Sequence, residues 1–466
     1  DYWLATDNGV FIVSDSYQIK KHLSKKDQVN GLLSNRISAI EQKDDGQVWL
    51  AGKNGLNSVN LLDYSIEKFQ KSTYSSSLSE NWLNDIYKDS SGRVWLGTYG
   101  DGLNVYDPSS QIFQHTFNNK SQDNITIVSL IETNNSILLS TEQEDIFNYN
   151  NKSITPTNIP NINSGVLQFM KGNDNNIWLR TIDNRLYNYD LKNNETVEIP
   201  EWNSAANHPV ENLLIVIKNR LWFVNENGHL TVFDTKLKSF TEHLLKDNTL
   251  TALGVDNTDN SIDIKSLWLT SNTNKLFTFS LDSLEFEEFI ISQDHNYRQT
   301  KNISTSSHWL WLGTLSQGIT LVNKSSKEVT SFDESNQLSN NFIADILIDD
   351  NENAWIATNK GISAIKPSTG QVKNFAEDFA ISDNEFLSYS SLISSDKTML
   401  FGGTNGFYQF DPIEALKITQ QLVKPIFINI YIANKRVVIN EKKNTKNDKF
   451  TIEKQVNYLD ELTLNY

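Results

Sequence analysis

A tryptophan-centred motif recurs through the whole chain at a nearly constant interval. Its clearest copy is Val94–Thr98 (VWLGT), followed by Gly102-Leu103 and Tyr106-Asp107. The mean interval is about 44 residues, which is the repeat length of four-stranded propeller blades. Turns rich in Gly, Asn, Asp and Ser divide each repeat into four short strands. The tryptophan position falls at Trp3, Trp49, Trp95, Leu138, Trp178, Trp222, Trp268, Trp311, Trp355 and Leu400.

These ten motifs predict an all-β fold of two β-propeller rings, because one ring closes with about four to eight blades. Counting seven motifs back from Leu400 reaches Leu138. The count predicts a C-terminal seven-bladed propeller over residues 122–415, and the last blades of an incomplete N-terminal propeller over residues 1–121. In the repeat around Trp95, Gln111–Thr116 is the expected outer strand. The first repeat opens inside its motif, so we expect it to lack its first strand.

After Asp411-Pro412 the repeat stops, and a β-sandwich is predicted to begin. Three segments alternate apolar and polar residues as strands do. They are Pro425–Ile432, Phe450–Glu453 and Leu462–Tyr466. Residues 416–466 are therefore predicted to be the start of a sandwich domain that is cut off at Tyr466.

Composition excludes several classes of function. The net charge of −16 argues against a nucleic-acid partner, which needs a basic surface. The absence of cysteine excludes disulfides, thiolate metal sites and a cysteine nucleophile. The seven histidines never stand at metal-ligand spacing, and no apolar run reaches the roughly 20 residues that span a bilayer. We therefore expect no catalytic residues, no metal ligands and no cofactor in this segment.

Two polar features leave alternatives open. The loop Asp256–Asp263 offers oxygen ligands suited to Ca²⁺, although it lacks the EF-hand order of acids, and it is otherwise a solvated blade loop. Turns such as Asp89–Gly92 resemble the aspartate boxes of sialidases. Their spacing differs, and hairpin turns without a catalytic role explain them.

The repeat phrase Val94–Pro108 resembles the two-component regulator propeller repeats. The phrase that precedes the repeats in this family is seen at Leu33–Asn35, Ser79–Asn81 and Leu338–Asn340. The chain also ends as these sensors do, with a last blade before a triple-tyrosine sandwich domain. That ordered ending consists of Asn384–Phe386, Phe401–Phe407 and Phe410–Pro412.

The resemblance implies the periplasmic ligand-sensing part of a bacterial membrane receptor. Such receptors carry two seven-bladed propellers, the sandwich, one transmembrane helix outside this segment and a cytoplasmic output, commonly a histidine kinase. It implies a homodimer through the sandwich and a carbohydrate or polysaccharide fragment as the ligand. Three alternatives stay open: a secreted propeller hydrolase or lyase for polysaccharides, a scaffold for protein partners, and the same sensor joined to a diguanylate cyclase.

Aromatic residues outside the repeat position are the candidate ligand contacts. We expect the eight repeat tryptophans, and Trp309, to pack in the core. Trp82 stands at the start of an innermost strand, where Arg36 and Phe342 occupy the same position in their own blades.

Two further aromatic candidates complete the predicted site. Trp202 lies in a polar connector, and Tyr99 lies in the turn after Gly97-Thr98. Aromatic faces beside an arginine suit a sugar ring, which stacks on the aromatic face and accepts hydrogen bonds. The alternative is that these side chains only plug the propeller funnel. Trp202 and Phe342 belong to the C-terminal ring, so they share a pocket with Arg36 and Trp82 only if it lies between rings.

Overall fold

The chain forms two compact units, Asp1–Ile418 and Thr419–Tyr466. The structure is a computed structural model, and it describes the residues that follow. They are 1–26, 31–44, 46–72, 77–108, 112–116, 125–134, 136–150, 153–172, 175–202, 215–246, 248–256, 264–291, 299–376, 379, 381, 385–418, 431–432, 435–436, 438–439 and 451–452.

The first unit begins with three antiparallel propeller blades. The first blade has β1 (Tyr2–Thr6), β2 (Gly9–Val13) and β3 (Ile19–Leu23). The second has β4 (Ile37–Asp44), β5 (Gln47–Gly52), β6 (Gly55–Asn60) and β7 (Ile66–Phe69). The third has β8 (Leu83–Lys88), β9 (Val94–Thr98) and β10 (Leu103–Tyr106). Trp3 lies on β1, as Trp49 lies on the second strand of its own blade, so the first blade shows no innermost strand among the described residues.

Seven more blades form a closed ring. Ring blade 1 has β12 (Ile127–Glu132), β13 (Ile137–Thr141), β14 (Ile146–Asn150) and β15 (Ser153–Thr157). Ring blade 2 has β16 (Val166–Lys171), β17 (Asn176–Thr181), β18 (Leu186–Asp190) and β19 (Glu195–Glu198). Ring blade 3 has β20 (Ile215–Ile217), β21 (Arg220–Val224), β22 (Leu230–Asp234) and β23 (Ser239–His243). Ring blade 4 has β24 (Leu250–Val255), β25 (Ser266–Ser271), β26 (Leu276–Ser280) and β27 (Phe286–Glu288).

The remaining ring blades close the circle. Ring blade 5 has β28 (Thr300–Thr305), β29 (Trp309–Thr314), β30 (Ile319–Asn323) and β31 (Val329–Phe332). Ring blade 6 has β32 (Ile343–Ile348), β33 (Ala354–Thr358), β34 (Gly361–Lys366) and β35 (Gln371–Phe375). Ring blade 7 has β36 (Phe386–Ile393), β37 (Met399–Gly403) and β38 (Gly406–Phe410). The innermost strands lie side by side in chain order, and β36 returns next to β12. The predicted all-β propeller fold is confirmed.

The outer strand of ring blade 7 comes from the opposite end of the ring sequence. It is β11 (Gln114–Thr116), which pairs antiparallel with β38. The assignment of these residues to the blade around Trp95 was therefore wrong, because their backbone groups bond to the last blade. Phe113, just before β11, is buried against Phe375 and Phe410 with ring centres 4.9 and 4.7 Å apart.

Tight hairpins join the strands within each blade. Gly361 opens β34 with φ of 111°, a conformation that L side chains rarely adopt. A Cβ atom there would approach the Phe375 carbonyl oxygen, so only glycine fits. Gly55 has the same role in the second N-terminal blade, where φ is 127°.

The repeat tryptophans pack between neighbouring blades, as predicted. Six of them are buried: Trp49, Trp178, Trp222, Trp268, Trp311 and Trp355. Trp309 is partly buried against the cluster around Trp311. Trp3 and Trp95 are only partly buried, because each lies in a blade with one uncovered face.

The uncovered faces belong to the first and third N-terminal blades. On β10, Leu103 and Val105 are 69% and 54% exposed. The residues at the same register of β34 are Ile362 and Ala364, which are 0% and 3% exposed because ring blade 7 covers them. The exposed apolar side chains therefore stand where a complete ring places its next blade.

One hydrophobic cluster joins the strand that enters the ring to the helix that leaves it. Phe113, Phe375, Phe410 and Ala415 belong to it. Ala415 lies on α1 (Pro412–Lys417), which follows β38 directly. Lys373 on β35 donates hydrogen bonds from Nζ to the carbonyl oxygens of Ala415 and Leu416, at 2.9 and 3.1 Å. These bonds satisfy carbonyls at the C-terminal end of the helix.

Four short strands are described in the second unit. They are β39 (Tyr431–Ile432), β40 (Lys435–Arg436), β41 (Val438–Ile439) and β42 (Thr451–Ile452). The first two pair antiparallel and the last two pair parallel. Most of the predicted sandwich strands lie outside the described residues. Within the described part of the chain, no helix has the length and apolar character needed to cross a bilayer.

Candidate functional site

Two residues mark the same edge in six of the ten described blades. One immediately precedes the innermost strand, and the other follows the second strand and donates its backbone N–H to the carbonyl oxygen of the first. We call them the rim pair of a blade. The rim pairs are Arg36/Lys53, Trp82/Tyr99, Thr126/Glu142, Gly165/Ile182, Thr249/Asn272 and Glu385/Thr404.

The rim pair of the third N-terminal blade is aromatic. The Tyr99 N–H donates to the Trp82 carbonyl oxygen at 2.9 Å, which brings the two side chains to the same edge. Their rings stack with centres 4.4 Å apart and planes 12° apart. Trp82 is partly buried, whereas Tyr99 is 64% exposed. The outward surface of the stack is therefore mainly the face of Tyr99.

The rim pair of the neighbouring blade carries two positive charges. Arg36 precedes β4, which lies beside β8, and Lys53 follows β5. The Lys53 Nζ atom lies 5.2 Å from the centre of the Trp82 ring, within the range of a cation–π contact. The structure thus places three of the predicted residues, Arg36, Trp82 and Tyr99, at the same edge of two neighbouring blades. It adds Lys53 to the site. Lys53 occupies the same position in its blade as Tyr99 does, so the repeat alignment could have predicted it.

The carboxylates near this cluster already have partners. Glu80 accepts a hydrogen bond from the Gly100 N–H at 2.7 Å. Asp101 lies 3.4 Å from the Lys71 ammonium. Asp7 lies 3.8 Å from Arg36, and both side chains are mostly exposed. The local surface therefore combines an exposed aromatic stack with cations that are weakly paired.

The other two predicted residues lie elsewhere. Trp202 is fully buried, and its Nε1 donates to the Asn184 carbonyl oxygen at 3.1 Å. Its ring packs against Phe223 and Phe233 of the following blade, so it offers no surface to a ligand, and we remove it from the site. Phe342 precedes β32 and is partly buried against the cluster around Trp355, which fits the packing alternative.

A cavity of about 900 Å³ lies at the opposite edge of the ring, where the innermost strands end. Lys171, Thr305, Ile348 and Ile393 stand at the ends of four of these strands and line it. Polar side chains join the innermost strands across blades around the axis: Ser390 Oγ donates to the Ile127 carbonyl oxygen at 2.8 Å.

The carboxyl group of Asp345 has a raised pKa. It lies on β32 and accepts hydrogen bonds from Ser391 Oγ at 2.7 Å and from the Ile346 N–H at 2.9 Å. Removal from water outweighs these bonds and raises the pKa of the carboxyl to about 6.

Asp256 begins the loop that could ligate Ca²⁺, and it is already paired. Its Oδ1 lies 2.7 Å from the Lys324 ammonium, and both side chains are largely buried. Residues 257–263 of that loop lie outside the described residues. In the part of the chain that is described, no group of three or more His, Cys, Asp or Glu side chains is arranged to hold a metal ion.

Comparison with known proteins identifies the repeat. Residues 77–100 match the two component regulator propeller family. This segment contains the rim pair Trp82/Tyr99 and the two strands between them, β8 and β9. The predicted resemblance is confirmed. In this propeller repeat, Trp82 and Trp95 both fall within the matched segment.

The chain is also similar to proteins that are named as signalling proteins. The chain is similar to a histidine kinase of Formosa agariphila, with 23% identity over 93% of this chain and 30% of that protein. Its fold is similar to the extracellular domain of a putative hybrid two component system of B. thetaiotaomicron, with a TM-score of 0.66, 20% identity and coverage of 96% of this chain and 59% of that one. A second extracellular domain from that organism gives a TM-score of 0.50 and 17% identity, covering 93% and 59%. The chain thus spans less than two thirds of the length of each.

Proposed function

We propose that this chain is the ligand-sensing part of a bacterial two-component receptor and that it binds a carbohydrate at the Trp82/Tyr99 rim pair. The similarity to a histidine kinase and to extracellular domains of hybrid two component systems supports the receptor assignment. The exposed Trp82–Tyr99 stack is the observation that carries the ligand assignment.

The physical argument rests on the Tyr99 face. A sugar ring has one apolar face of C–H groups, which packs on an aromatic ring without losing hydrogen bonds from its hydroxyl groups. Trp82 holds Tyr99 in position by stacking, so little side-chain freedom is lost on binding. The Arg36 guanidinium, which is mostly exposed, offers hydrogen-bond donors for hydroxyl groups.

Signal transmission in this proposal passes through the sandwich domain to a kinase beyond Tyr466. A ligand shifts a receptor between two states only if it binds one of them more tightly. We propose that the sandwich domains of two subunits form the homodimer, that the segment lies in the periplasm, and that catalysis resides outside it. The sequence beyond Tyr466 distinguishes a histidine kinase from a diguanylate cyclase.

We also propose that residues 1–121 are the last three blades of a separate propeller and that residues 122–415 are the second one, apart from β11. The exposed Leu103 and Val105 support this division, because their counterparts in the ring are buried between blades. The division predicts that hydrogen exchange is fast in β10 of this segment and slow in the full-length protein.

Binding of a glycan panel tests the ligand assignment. We expect Tyr99→Ala to weaken binding of a recognised oligosaccharide several-fold or more, because an aromatic contact contributes about 1 kcal/mol beyond its area term. Tyr87→Ala is the matched control, since Tyr87 is an equally exposed tyrosine of the same blade. Release of new reducing ends or unsaturated products would favour the hydrolase or lyase alternative. No thermal shift with any glycan would favour a protein scaffold.

A further inference from the structure

The rim of the second N-terminal blade differs in charge from the protein as a whole. The chain carries a net charge of −16, yet both members of this rim pair are cations, Arg36 and Lys53. The rim pairs of ring blades 1, 2, 4 and 7 include no cation at these positions. Two neighbouring positive charges attract an anion to this rim, whereas the negative charge of the rest of the protein repels it.

Neither cation is neutralised by a close carboxylate. Among the described residues, Lys53 forms no ion pair, and its ammonium contacts the Trp82 ring. The carboxylate nearest Arg36 is that of Asp7 at 3.8 Å, and both groups are mostly in solvent. Ion pairs of this kind contribute little, so Arg36 is free to exchange Asp7 for another anion at small cost. Arginine also binds planar or tetrahedral oxyanions through two parallel hydrogen bonds.

Lys53 stands beside the aromatic stack, and Arg36 is the other member of its rim pair. The centre of the Tyr99 ring lies 4.4 Å from the centre of the Trp82 ring, and Lys53 Nζ lies 5.2 Å from the centre of the Trp82 ring. These two distances keep the ammonium within the span of one disaccharide from the Tyr99 ring. A ligand of two or more sugar units that stacks on Tyr99 and extends past Trp82 can therefore place an acid substituent at Lys53.

We infer that the ligand of this site is an anionic carbohydrate, whose carboxylate or sulfate group is bound by Lys53 and Arg36 while a sugar ring stacks on Tyr99. This inference rests on the proposed function, because it places the acid group next to the same aromatic pair. Carboxylate and sulfate share the chemistry that the two cations recognise, and paired ligands distinguish them.

Calorimetric titration with matched ligands tests the inference. The probes are uronic-acid oligosaccharides with their methyl esters, and sulfated oligosaccharides with their desulfated forms. We expect an acidic form to bind more tightly than its neutral partner and to lose affinity as salt rises, because screening weakens exposed charges. We expect Lys53→Gln to lower that affinity between roughly three-fold and ten-fold, and Lys53→Arg to restore it.

Lys21→Gln is the matched control, because Lys21 also lies over an aromatic ring, that of Tyr64, at 5.4 Å and away from the rim. Equal affinity for acidic and neutral partners, or an unchanged affinity in Lys53→Gln, would overturn the anionic assignment. Tight binding of neutral glycans alone would overturn it and leave the proposed carbohydrate function standing. Binding of no glycan in either form would overturn both.

Discussion

The substitution Phe113→Ala tests whether β11, which precedes the ring in the sequence, closes the ring by pairing with β38. Phe113 is 3% exposed and contacts three phenylalanine rings, those of Phe375, Phe410 and Phe379. Truncating a buried phenylalanine costs about 3–5 kcal/mol, from lost transfer energy and from the cavity left behind. We expect the variant to lose this much in free energy of unfolding, because three neighbouring rings cannot all relax into the space.

Guanidinium denaturation and hydrogen exchange together measure this effect. The amides of β38 should exchange faster in the variant, since β11 is their partner, whereas those of β34 should change little. Phe69→Ala is the control, because Phe69 lies on an outer strand and is partly exposed, and it should cost about 1 kcal/mol or less. A loss below about 1 kcal/mol for Phe113→Ala, with unchanged exchange in β38, would refute closure by β11.

Three further predictions concern the ring. Trp202→Ala should cost about 3–5 kcal/mol in a denaturation experiment and leave glycan affinity unchanged, because its side chain is fully buried. Lys324→Met should cost about 3–5 kcal/mol by leaving the Asp256 carboxylate unpaired, and Lys324→Met combined with Asp256→Leu should cost less. The folded-state pKa of Asp345, about 6, exceeds its ordinary 3.8, so the folded protein holds this proton more tightly. Its contribution to stability is present below about pH 4 and is lost as pH rises through about 6. The melting temperature of Asp345→Asn should therefore change less across that range than that of the unaltered protein.

The blade count could be predicted from sequence because each blade repeats one local pattern. Leu138 and Leu400 stand at the tryptophan position without being tryptophan, and the spacing alone was enough to place their blades. The partner of Gln114–Thr116 could not be predicted in this way. Alternation makes a segment a strand, but it does not determine which distant edge the strand completes. Closure depends on β38, almost three hundred residues away.

The aromatic site could be predicted in part for the same reason. Trp82 and Tyr99 depart from the repeat at positions that a hairpin brings together, so their proximity follows from the pattern. Trp202 also departs from the repeat, but its connector folds back onto the blade: the Trp202 N–H donates to the Ile199 carbonyl oxygen at 3.0 Å. Nothing in the sequence indicates that Trp202 is buried, because the blade repeat that predicts burial elsewhere does not extend over the connectors.

The shared cluster of Phe113, Phe410 and Ala415 determines how a mechanical load would cross the ring. The chain enters through β11 and leaves through α1 at one corner, so tension between the two connectors acts on ring blades 6 and 7 and bypasses the other five. Lys373 anchors the departing helix to ring blade 6 through charge-assisted bonds. A twist applied at the incoming strand can therefore reach the outgoing helix without passing through ring blades 1 to 5.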